Sequence, residues 1–64
     1  MTQKELSYVE DAIGHENNII QICVELLDSL NEEELLSFME KELKIHKKTK
    51  AKLLSLLEEK ENEW

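Results

Sequence analysis

The amino-acid sequence predicts an all-α fold, an antiparallel helical hairpin of two long helices that dimerises into a four-helix bundle. Three observations carry that expectation. The 64 residues include no proline and one glycine, and leucine, glutamate and lysine dominate, as in long helices. Apolar residues recur in steps of three and four, the period of one helix face. The run of helix formers is punctuated once, near its midpoint, by a turn rich in acids.

The first helix is expected over residues 3–30. Thr2-Gln3-Lys4-Glu5 is a capping box, in which the Thr2 hydroxyl accepts an orphan amide proton and Glu5 reaches back to the cap. From there Leu6, Val9, Ile13, Glu16, Ile20, Cys23, Leu27 and Leu30 step without a break. That is an a/d seam, and its fourth member is charged. Ala12, Ile19 and Leu26 widen it on one side, which suits a bundle better than a two-stranded coil. Gly14 costs a helix about 1 kcal/mol relative to alanine. The continuous seam nevertheless predicts that the helix runs through it.

The turn falls at 30–32, with Asn31 as the expected N-cap and Glu34 completing a second capping box. Glu32, Glu33 and Glu34 sit where the positive end of a helix dipole favours acids. The second helix is expected over 32–61, with Leu35, Leu36, Phe38, Met39, Leu43, Ile45, Leu53, Leu54, Leu56 and Leu57 facing inward. Glu58-Glu59 opposes the dipole at the weak final turn. Trp64 is expected to extend past the bundle end.

Two helices joined by so short a turn must be antiparallel neighbours, each about 40 Å long. A hairpin leaves one face of each helix uncovered, and a C2 dimer is the simplest closure. Leu6, Val9, Ile13, Ile20, Leu27, Leu36, Met39, Leu43, Leu53 and Leu57 are the expected dimer core.

Size and charge bound the function. A chain this short buries only about 60% of its unfolded surface, so it is marginal alone. Lone Cys23 excludes an intramolecular disulfide and suits a reducing compartment, so a cytoplasmic address is expected. There is no membrane-length apolar run, and Met1 leads straight into polar residues rather than a signal peptide. The net charge of −7 weighs against nucleic acid and anionic membranes, although six of the eight basic residues, all lysine, lie between Lys41 and Lys52. With no cleft of its own, no glycine-rich phosphate loop and no paired nucleophile and base, a non-catalytic structural or interaction protein is expected.

Pairing about Asn31 puts Glu16 level with His46, with Glu42 one turn before the histidine and Thr49 one turn after. A fully overlapped C2 dimer gathers two copies each of Glu16, Glu42 and His46 in one layer, the donor types of a di-iron or di-manganese carboxylate site. The same residues also serve as a register device, like a buried polar residue in a coiled coil, with Thr49 completing the hydrogen bonds. His15 is off the seam and expected at the surface. Cys23, Phe38 and Met39 are expected in the core.

The stretch Leu6-Ser7-Tyr8-Val9-Glu10-Asp11-Ala12-Ile13-Gly14-His15-Glu16, together with Glu42 to His46, resembles small ferritin-like bacterial proteins, the rubrerythrin-like and spore coat protein F-like chains of Firmicutes. The resemblance implies a ferritin-like half-bundle, with Glu16 at the helix-one carboxylate position and His46 at the histidine position. It also implies a spore-associated role in a coat-type assembly. The family motif is Glu-x-x-His, whereas Leu43 stands three before His46 and Glu42 four before, rotated by about 40°. The overall plan is also similar to that of Rop-like plasmid copy-control proteins, dimers that bind paired RNA hairpins. On that likeness Lys41, Lys44, Lys48 and Lys52 would meet phosphates, with steep salt dependence.

Overall fold

A computed structural model describes residues 1–61. Two helices, α1 (Gln3–Ser29) and α2 (Glu33–Glu61), lie antiparallel and in contact along their length. Trp64 lies outside the described residues. The molecule measures 48 × 14 × 12 Å, with a radius of gyration of 14.7 Å. A compact chain of this length would have about 11 Å, so the hairpin is a rod two helices wide.

The start of α1 is built as its sequence dictates. The Thr2 backbone N–H donates to Glu5 Oε1 at 2.8 Å, and the Glu5 N–H donates to Thr2 Oγ1 at 3.1 Å. The first of these bonds, and then the Thr2 hydroxyl beside the carboxyl, hold Glu5 below its ordinary value of 4.5. A carboxyl depressed by folding stabilises the fold above its unfolded value, and that contribution is lost as pH falls through the folded one. Helix content followed by circular dichroism is therefore expected to fall on acidification below about pH 4.5 more steeply in the native chain than in Glu5→Gln. Identical acid limbs would show that the capping box is not formed in solution.

α1 runs through Gly14 without a break, and no described residue has a positive φ. A Cβ added at Gly14 meets nothing within 4 Å. Gly14→Ala thus removes unfolded-state freedom without a clash, and a gain of about 1 kcal/mol is expected in urea unfolding. A loss would place a partner against this point.

The turn departs from expectation. α1 ends with Leu30 as an extended cap whose N–H donates to Leu26 O at 2.9 Å. The first bond into α2 runs from Leu36 N to Glu32 O at 3.0 Å. Glu32, not Asn31, therefore holds the cap position, and the Asn31–Glu34 capping box does not form. Reversing the chain direction uses Leu30, Asn31 and Glu32 in full, which moves the helix start one residue on.

The ten residues expected as the dimer core, Leu6 to Leu57, are each already half-buried within the single hairpin, and only Cys23, at 2% exposure, is fully buried among the described residues. The expectation for the rest of α2 needs correction. Leu35, Phe38, Ile45, Leu54 and Leu56 do not face inward but are exposed, as is Leu26 on α1. One neighbouring helix covers only a narrow stripe of each cylinder, and residues roughly 75–130° round from that stripe remain in solvent. Among the described residues no helix is long and apolar enough to cross a membrane.

Candidate functional site

Two features stand out on this rod, a polar cluster at its centre and an apolar face along one side. The cluster forms because Glu16 and His46 each occupy the seam at mid-helix. His46 Nδ1 lies 2.5 Å from Glu16 Oε2, and the two side chains are 23% and 15% exposed. His46 Nε2 lies 3.5 Å from Glu42 Oε2 across one turn of α2. The hydrogen bond is to Glu16, and Glu42 stands at ion-pair distance only. Thr49 does not join them: its hydroxyl donates to Ile45 O at 3.0 Å within its own helix. A threonine on a helix finds that carbonyl at no conformational cost.

This geometry limits what one chain can ligate. Glu16 and Glu42 meet opposite nitrogens of one imidazole, so an ion bound at either nitrogen reaches only one of the two carboxylates. Among the described residues no group of three or more His, Cys, Asp or Glu side chains is placed to hold a metal ion. An iron or manganese centre on Glu16, Glu42 and His46 would need donors from a second copy.

The apolar face emerges from the contact between Glu16 and His46, which sets the two helices in register. Rotated about 100° per residue from the seam, Tyr8, Ala12, Ile19, Ile22 and Leu26 of α1 lie toward one broad side of the hairpin. Leu35, Phe38, Glu42, Ile45, Thr49 and Leu56 of α2 lie toward that same side. Tyr8 and Phe38 are its most exposed members, at 59% and 57%. The opposite broad side carries Ser7, Glu10, Asn17 and Gln21 from α1, and Ser37, Glu40, Lys44 and Lys47 from α2. Val24 and Leu54 are its exposed large apolar residues. Lys41 and Lys48 point away from α1, and Lys52 stands at the edge of the apolar side, so the lysine stripe is solvated.

Sequence reading assigned Leu26 and Ile19 to a widened seam and missed Tyr8 and Ile22. The signal was present: Tyr8, Ala12, His15, Ile19, Ile22 and Leu26 step by four and three, a second stripe beside the first. The burial pattern also repeats with a shift of one helix. Leu6, Ser7, Glu10, Leu26 and Leu27 correspond to Leu36, Ser37, Glu40, Leu56 and Leu57. The hairpin is thus a pseudo-twofold object with Glu16 and His46 on its axis.

The chain matches no protein-family model, no curated protein and no solved structure.

Proposed function

We propose that the chain is a non-catalytic interaction protein whose apolar face pairs with a second copy to close a four-helix bundle. The observation that carries this reading is the contrast between one fully buried residue among the described residues and a side on which Tyr8, Ile22, Leu26, Phe38, Ile45 and Leu56 stand exposed. Area supports the choice of occupant. The chain exposes 5081 Å², whereas a compact monomer of 7.6 kDa exposes about 4,300 Å². The excess of about 800 Å² is what one partner contributes to a standard interface. A C2 axis lets one apolar patch satisfy an identical one. The coat-type assembly implied by the family resemblance would be built on such dimers.

Sedimentation equilibrium tests the proposal, with an expected mass of twice the 7.6 kDa chain at micromolar concentration. A folded particle of single-chain mass would remove it. Beneath that face the Glu16–His46 pair acts as a register device: slipping one helix by a turn leaves both half-buried polar side chains without their partner.

A further inference from the structure

Stacking two hairpins by their apolar faces about a twofold axis allows two arrangements. With both turns at the same end, α1 lies on the partner's α2. With the turns at opposite ends, α1 lies on the partner's α1 and α2 on the partner's α2. Both are antiparallel throughout, so packing geometry alone does not choose. The side chains do. Glu16 is level with His46, so a residue some positions before one is level with the residue as many positions after the other.

Turns at the same end set Ile19, three after Glu16, against the partner's Glu42, four before His46. They also set Ala12 against the partner's Thr49. Every mid-face contact is then a mismatch of apolar with polar, and a carboxylate loses water against a hydrocarbon branch. Turns at opposite ends sort the same residues by kind. Ala12 meets the partner's Ile19, Leu35 meets the partner's Leu56, and Ile45 meets its own copy beside the axis. Glu42 meets the partner's Thr49, whose hydroxyl can turn to the carboxylate, so the one charge on the central face gains a donor in place of water. Glu5 meets a leucine in either arrangement and does not discriminate.

Resting on the dimer reading above, we infer that the two hairpins stack with their turns at opposite ends, like helix on like helix. Glu42 of each copy then meets Thr49 of the other. The polar layer and the apolar face become one recognition surface, and its specific partner is a second copy of this chain in this orientation.

Cysteine cross-linking separates the arrangements. His15 and Ile45 are exposed, each one position before the central level, so substituting them leaves the hairpin seam intact. The native thiol is removed by Cys23→Ala, or by Cys23→Val should alanine cost the fold. In that background His15→Cys and Ile45→Cys are oxidised separately and as a mixture, beside a Lys48→Cys control on the outer side. The expected result is disulfide dimer from each of the first two alone, roughly 100-fold faster than from the control, because the thiols share a high effective concentration. A dimer by mass in which neither links alone but the mixture of the two does would overturn the orientation and leave the dimer standing. A single-chain mass before oxidation would overturn the dimer reading itself.

Discussion

Ile19→Glu is expected to abolish the dimer and, with it, most of the helical signal. Ile19 sits at the middle of the apolar face, and symmetry installs the new carboxylate twice. A polar group buried without a partner costs about 2–7 kcal/mol, and an ionised carboxylate more. Even about 4 kcal/mol for the pair weakens association by about three orders of magnitude. Among the described residues the released hairpin has Cys23 alone fully buried, too little core to offset the conformational entropy of two long helices. Loss of mass and loss of ellipticity should therefore occur together. Asn17→Glu is the control: it adds the same charge at nearly the same height on the opposite side, and should leave both readouts unchanged. Sedimentation and circular dichroism on the two variants decide the matter. Equal behaviour of the pair would mean that the apolar side is not what the molecule assembles through.

That asymmetry between sides was only half visible in the residues. The period of three and four placed Leu6, Val9, Ile13 and Leu27 on a common stripe, and the structure puts all four against α2. The Thr2–Glu5 box is a local motif, and it forms as read. The level of Glu16 with His46 followed from a turn near Asn31, and it survives because two antiparallel rods keep their register over their whole length. The errors have a common cause. Apolar residues at helical spacing such as Phe38 and Ile45 read as core, but the spacing does not say that the neighbouring helix reaches them, and in the hairpin it does not. The missed cap at Asn31 is different. Asn31 and Glu32 both fit the start of a helix, and the choice fell to the reach of the turn rather than to local preference.

The Glu16–His46 pair offers the second large effect, and it tests why a charged layer interrupts a leucine-rich seam. His46→Leu alone removes the partner of Glu16 at 2.5 Å and the nearest contact of Glu42. A half-buried carboxylate left facing leucine is expected to cost about 1–3 kcal/mol in urea unfolding. Glu16→Leu should cost a similar amount by stranding the imidazole. The double variant should recover most of the loss, or exceed the native stability by about 1–4 kcal/mol, because replacing an ionic pair by packed hydrocarbon commonly does so. The two single losses therefore should not add, and their failure to add measures the coupling. Register is then the readout that separates a structural ornament from a device. With leucine at both positions the central layer no longer distinguishes one helical phase from another, so cross-linking through Ile45→Cys should lose selectivity even as stability rises. Additive losses in the singles, with cross-linking unchanged in the double, would mean that the charges are solvated and that the hydrocarbon contacts alone set the register.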